Sequence, residues 1–155
     1  MAVKSILSDF YFILMATTLR PIQYERMGYA LQEYCKQLGA YEVPLVKEKI
    51  LTDKVMDEET FEQAFGELKK YVSLIRFSGK RLAMTSPTID EVWHQFILFT
   101  REYHSFCETF YGEYLHHSPN VPSRPASRSD LENLVTEYTE TYGPIPEIWN
   151  LGVRK

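Results

Sequence analysis

The sequence predicts an all-α fold, a single domain of about five helices, from three observations. The 7 glycines and 8 prolines are spread widely over 155 residues, and the segments between them repeat apolar residues at helical rather than alternating spacing. Apolar residues make up 45% and charged residues 25% of the chain, as in ordinary globular proteins. A chain of this length usually forms one compact domain.

The first two predicted helices cover residues 3–17 and 21–38. The second begins at Pro21, because proline fits the first turn of a helix and not its interior, and it ends at Gly39. Residues 40–56 allow either a short helix or an irregular arm, since a proline and many charges are mixed with the apolar residues. The inward face of the first helix carries Ile6, Phe10, Ile13 and Leu14.

The third predicted helix covers residues 57–77. Asp57 is its cap, and Glu58 and Glu59 lie in its first turn, where the helix dipole favours negative charge. Ser78 and Gly79 end it. Its predicted buried face consists of Phe61, Phe65, Leu68, Val72 and Ile75.

The fourth predicted helix, residues 89–111, is expected to be the centre of the domain. Thr88 and Glu91 have the spacing of a capping box, and Gly112 follows the end of the helix. The first half is apolar nearly all round, which is typical of a helix that runs through a core. Its widest apolar face carries Ile89, Val92, Trp93, Phe96, Phe99, Tyr103, Phe106, Cys107 and Phe110.

A loop rich in proline and serine, residues 115–128, is expected before the last helix. Ser129 and Glu132 repeat the capping-box spacing and open a helix over residues 129–142. The tail at 144–149 is predicted to be an extended clamp that docks Ile148 and Trp149 on the core. The inward residues of the last helix are predicted to be Leu131, Leu134, Val135, Tyr138 and Tyr142.

Charge and composition exclude several classes of function. The net charge of -4 lacks the basic excess that nucleic-acid binding requires. The longest apolar run, residues 10–16, is far shorter than the about 20 residues that span a bilayer, and no secretory signal is recognisable. Two cysteines do not form a disulfide framework. We therefore expect a cytoplasmic protein with reduced thiols, bound neither to nucleic acid nor to a membrane.

Ligand-type side chains cluster in one region of the sequence. The four histidines, with Cys107 among them, all fall between Trp93 and Ser118. On one helix, His94 and Cys107 would lie about 20 Å apart and on different faces, so they cannot share one ion. The sequence therefore contains two separate candidate sites. The four histidines from which they are drawn are His94, His104, His116 and His117.

The first candidate site is the pair Asp90 and His94, one helical turn apart on the same face. A carboxylate at this spacing can accept a hydrogen bond from the imidazole and fix its tautomer. Two interpretations stay open: a buried polar pair that orders the start of the helix, or an acid–base or ligand pair. In the second interpretation Asp90 and His94 are catalytic candidates and His94 is also a metal ligand.

The second candidate site combines Cys107 with His116 or His117 as metal ligands. These residues could meet if the chain folds back after Gly112. Cys107 also fits a purely structural role, packed against Tyr103 one turn away. His104 is expected to be a solvated residue.

A spaced pattern within residues 80–119 resembles the glycine-rich domain-containing protein-like family, in particular its short stand-alone bacterial members. The pattern is an aspartate, a Trp-His pair, a tyrosine and a cysteine four residues later, a glycine, and a His-His pair just before a proline. That family has no established reaction, so the resemblance nominates positions rather than a chemistry. These are Asp90, Trp93, His94, Tyr103, Cys107, Gly112, His116 and His117.

Two functions of different classes are consistent with the sequence. The first is binding of a metal ion or small ligand, with or without enzymatic activity; the ion would be a transition metal such as Zn or Fe. The second is a non-enzymatic acidic interaction protein, an inhibitor or adaptor, that presents the loop at 115–128 to a protein partner. No phosphate-binding loop or nucleophile motif points to another class of enzyme.

Overall fold

The computed structural model describes residues 21–118 and 125–151, which form α-helices and one short 3₁₀ turn without a strand. This confirms the all-α prediction; the predicted helix at 3–17 lies outside the described residues. None of the described helices combines the length and apolar character needed to cross a membrane. The elements are α1 (Pro21–Ala40), α2 (Pro44–Thr52), α3 (Glu58–Ser78), α4 (Pro87–Leu98), α5 (Thr100–Phe110), α6 (Arg128–Tyr142) and the 3₁₀ turn Glu147–Trp149.

Helix α3 has the ends that the sequence predicts. The Asp57 side chain accepts a hydrogen bond from the Thr60 amide at 2.8 Å, and Gly79 follows the helix with a left-handed φ of 63°. Such a φ is the conformation that glycine adopts at little cost. The α3 boundaries are therefore set by local chemistry.

The capping residues of α4 and α6 both lie two positions before the ones that the capping boxes predict. Ser86 rather than Thr88 caps α4, accepting from the Ile89 amide at 3.1 Å. Ser127 caps α6 in the same way, from the Asp130 amide. In α4 the earlier start is favoured because Pro87 can occupy the first turn of the helix.

The N-terminal part of the described chain resolves one alternative and corrects one boundary. Residues 44–52 form the short helix α2, not an irregular arm. Helix α1 continues through Gly39 to Ala40 instead of ending at the glycine. The Lys69 ammonium donates to the Gly39 and Tyr41 carbonyls at 2.7 and 3.2 Å, so a side chain of α3 satisfies carbonyls at this end of α1.

The prediction of one continuous helix over 89–111 is wrong. The helix breaks at Phe99, whose φ of -87° and ψ of 67° are not helical, and α5 begins at the next residue. On an unbroken helix Trp93 and Tyr103 would lie about 15 Å apart along the axis. Here the Trp93 indole nitrogen donates to the Tyr103 hydroxyl at 3.0 Å. Tertiary packing of these two side chains accompanies the break, and no proline or glycine marks it.

The core lies where α3 packs along α4. Trp93 and Phe96 are buried as predicted, and so is the rest of the apolar face of the central segment except half-buried Phe99. The predicted inward face of α6 is only partly correct, because Val135 is exposed. The helical periodicity thus predicted most of the buried residues correctly, and the exposed Val135 is an error at the edge of the α6 face.

The C-terminal tail docks on the core, as predicted, but not in extended form. Residues 147–149 make a 3₁₀ turn against α4. Trp149 is fully buried, while Ile148 is only half-buried. The aromatic side chain therefore provides most of this anchoring.

One buried carboxylate, Glu67 of α3, connects three parts of the fold. Its Oε2 accepts hydrogen bonds of 2.7 Å from the Tyr138 hydroxyl and the Trp149 indole. Its Oε1 pairs with the Lys70 ammonium, also at 2.7 Å. A buried charge is tolerated only when it is paired and hydrogen-bonded, and both oxygens of Glu67 have partners. Because both oxygens of Glu67 already have protein partners, this cluster links parts of the fold and is not a candidate ligand-binding site.

We expect the protein to lose stability steeply above about pH 10, the ordinary tyrosine pKa. Burial raises the pKa of Tyr34, Tyr71, Tyr103 and Tyr138, and raises the pKa of Tyr142 to about 12. Between these values the unfolded chain loses phenolic protons that the folded chain retains, so unfolding is favoured as the pH rises.

The measurement is a titration that records phenolate absorbance and far-ultraviolet circular dichroism together. The buried tyrosines should ionise only as the helical signal disappears. Ionisation of all 11 tyrosines near pH 10 with the helical signal intact would contradict the prediction.

Candidate metal centre

Three ligand-type side chains converge from two places in the chain. Asp90 and His94 lie one turn apart on α4, and His117 comes from the irregular segment after α5. The chain reverses at Gly112, whose φ is 99°. One ligand atom from each of the three side chains lies within 4.8 Å of the other two. The chain thus folds back after Gly112, and the fold brings His117 to α4.

The distances in this cluster change the expected pairing. His94 Nε2 lies 2.9 Å from His117 Nε2, and His117 Nε2 lies 3.1 Å from Asp90 Oδ1. The separation of His94 Nδ1 from Asp90 Oδ2 is 3.6 Å, which is too long for a hydrogen bond. The expected hydrogen bond between Asp90 and His94 is thus absent, and the closer partner of Asp90 is His117.

The two short separations also have the values expected between ligands of one metal ion. Ligand atoms about 2.0–2.1 Å from an ion, at angles between octahedral and tetrahedral, lie about 2.8 to 3.4 Å apart. Two imidazole nitrogens and a carboxylate form a donor set that Zn and Fe both accept in proteins. The cluster therefore has the composition of a metal site, and two of its three ligand separations match one.

The cluster is buried on one side and open on the other. The side chain of His117 is only 6% exposed, whereas Asp90 is 26% and His94 39% exposed. The buried side is formed by Trp93, whose ring centroid lies 4.1 Å from that of His117. Solvent or a small molecule can therefore approach from the side of His94.

The other predicted ligands lie elsewhere. Cys107 is fully buried, where burial raises the pKa of its thiol and a hydrogen bond from the Leu115 backbone lowers it to a smaller extent. His116 is exposed, its ring 4.9 Å from that of Tyr114. In residues 21–118 and 125–151, neither Cys107 nor His116 belongs to a group of three potential ligands.

Among the described residues, the group of potential ligands that contains His117 has Asp90 and His94 as its other members, and not Cys107 or His116. Adjacent side chains in an irregular segment diverge, and here His117 points to α4 while His116 points outward. His104 is exposed and pairs with Glu108 at 3.1 Å, as expected of a solvated residue.

His117 is expected beside Cys107 but lies with Asp90 and His94. His94 and His117 are separated by 23 residues, and no local periodicity relates an irregular segment to a helix face. The available signal was the spaced pattern itself, since a single pattern contained Asp90, His94 and His117.

A comparison with known families identifies the family of this chain but gives no activity for it. Residues 32–138 match the model of a family described as UCP032817-like. The chain belongs to this UCP032817-like family. The match includes the three residues of the cluster and extends well beyond residues 80–119. The family is of unknown function, and the match shows nothing about glycine-rich domains. No curated protein and no solved structure matches the chain significantly.

Proposed function

We propose that this UCP032817-like protein binds one divalent transition metal ion, zinc or ferrous iron, through Asp90, His94 and His117. The observation that carries the proposal is the convergence of the three ligand atoms within 4.8 Å. Two histidines and one carboxylate are the ligand set of several catalytic zinc and non-haem iron sites.

Hydrogen bonding alone satisfies this cluster poorly. His117 Nε2 faces both His94 Nε2 and Asp90 Oδ1, yet a neutral imidazole carries one N–H and can donate it to only one of them. An ion at the centre would accept lone pairs from all three side chains together. The arrangement is therefore better explained by ligation than by a hydrogen-bonded triad.

The open side of the cluster supports a role beyond structural binding. Three protein ligands leave at least one coordination position for water or a substrate, which is the arrangement of catalytic rather than structural zinc sites. An ion bound there would act as a Lewis acid and lower the pKa of a bound water. His94 borders the solvent, so a small molecule would enter on its side. Enzymatic activity is thus part of the proposal.

The experiment is a titration of metal-free, untagged protein with Zn(II), and with Fe(II) under anaerobic conditions, followed by calorimetry. We expect one equivalent to bind. Asp90→Ala, His94→Ala and His117→Ala should each lower the affinity by more than the about 10- to 100-fold typical of outer-shell partners. His104→Ala and His116→Ala are matched controls that remove an exposed imidazole and should leave the affinity unchanged.

Metal binding should also raise the midpoint of thermal unfolding, because an ion that binds only the folded state stabilises it. Binding of less than about a tenth of an equivalent of either ion, with no shift of the midpoint, would contradict the proposal. So would an equal loss of affinity in the His116→Ala control.

The alternative role as an inhibitor or adaptor stays a prediction. Residues 119–124 of its loop lie outside the described residues. In the part of the chain that is described, no observation favours a protein partner over a metal ion.

A further inference from the structure

The three proposed ligands differ in how the fold holds them. Asp90 and His94 are fixed by α4, but His117 lies in residues 111–118, which contain a turn and irregular chain. A residue in such a segment has conformational freedom that must be lost before it can act as a ligand. A specific device is therefore needed to hold His117.

The Tyr103 hydroxyl is hydrogen-bonded on both sides. It donates to the Leu115 carbonyl at 2.5 Å, two residues before His117, and it accepts the indole N–H of Trp93 at 3.0 Å. Tyr103 is buried, so neither bond is exposed to competing water. One hydroxyl thus ties the irregular segment to α4.

The same indole forms the wall against which His117 packs. The ring centroids of Trp93 and His117 are 4.1 Å apart, with an angle of 34° between the ring planes. Tyr103 therefore acts on His117 by two routes, through the backbone at Leu115 and through the orientation of Trp93.

We infer that Trp93 and Tyr103 are positioning residues that hold the His117 ring in the geometry of a metal ligand, an inference that rests on the proposed metal-binding function. Without the Tyr103 hydroxyl, the Leu115 carbonyl and the Trp93 indole N–H each lose a buried partner. The segment that carries His117 can then shift. Loss of such outer-shell support weakens metal binding by about 10- to 100-fold.

The test is Tyr103→Phe, which removes the hydroxyl and keeps the ring that packs 5.2 Å from Phe96. The matched control is Tyr138→Phe, since Tyr138 is equally buried and its hydroxyl donates to Glu67, outside the cluster. Both variants lose a buried hydrogen bond and some stability. Only Tyr103→Phe should weaken Zn(II) binding, by about 10-fold or more.

A second readout uses metal-free protein. Nuclear magnetic resonance of the His117 ring should show shifted or broadened signals in Tyr103→Phe and unchanged signals in Tyr138→Phe. If Tyr103→Phe does not fold, Trp93→Phe serves instead, because it removes the indole N–H while retaining an aromatic ring; we expect the same changes.

The outcomes separate the two proposals. If wild type binds Zn(II) and Tyr103→Phe binds it equally well, the positioning role is overturned and the metal site stands. If wild type binds no metal, the proposed function fails. In that case the metal-free His117 signals decide on the positioning role, and signals identical to wild type in Tyr103→Phe would overturn it.

Discussion

We expect Trp149→Ala to lower the free energy of unfolding by about 3–5 kcal/mol, the usual cost of truncating a large buried aromatic side chain. Trp149 is fully buried, and its ring lies 5.8 Å from Tyr71 and 5.9 Å from Tyr138. Its indole N–H also donates to the buried carboxylate of Glu67. Because the free energy of unfolding of a small domain is only about 5–15 kcal/mol, this single change should remove a large share of the stability of the protein.

Two further variants separate the contributions of Trp149. Trp149→Phe keeps much of the ring but removes the N–H, and should cost about 1–3 kcal/mol for the lost donor to a buried carboxylate. Ile148→Ala, next in the chain and only half-buried, should cost less than Trp149→Ala. Urea unfolding followed by circular dichroism measures all three. A loss below about 1 kcal/mol in Trp149→Ala would mean that the tail does not anchor the core.

Trp93→Ala is expected to have a similar effect, about 3–5 kcal/mol, with an additional consequence for the metal site. The indole packs between Tyr71 and the His117 ring, with centroids 5.7 and 4.1 Å away. Its removal leaves a cavity beside His117 and removes the surface that orients this ring. Unfolding in urea should show the loss of stability, and Zn(II) binding measured well below the unfolding transition should be weakened.

The control for Trp93→Ala is Leu98→Ala on the same helix. Leu98 is 65% exposed, so its truncation should change stability by no more than about 0.5 kcal/mol and leave Zn(II) binding unchanged. Equal losses of stability in the two variants would show that the α4 face assigned to the core is not the stabilising one.

The fold class and most of the core residues followed from the sequence, because the ends of a helix and its apolar face are encoded within a few residues of one another. Asp57 and Gly79 define the ends of α3 through their own capping chemistry. The 3.6-residue periodicity places Trp93 and Phe96 on one apolar face of the helix, and both side chains are buried.

Other features were decided by contacts between residues far apart in the sequence. The break of the helix at Phe99 accompanies the hydrogen bond from Trp93 to Tyr103. No proline or glycine at the break predicts it from the sequence.

In the sequence, nothing distinguishes Glu67 from an ordinary helical glutamate. Its role depends on hydrogen bonds from Tyr138 and Trp149, which are 71 and 82 residues away in the chain. The same holds for the candidate metal centre. Its composition was visible in the sequence, but the choice of His117 over His116 and Cys107 depends on where an irregular segment is held. That position is set by buried tertiary hydrogen bonds, which no local pattern encodes.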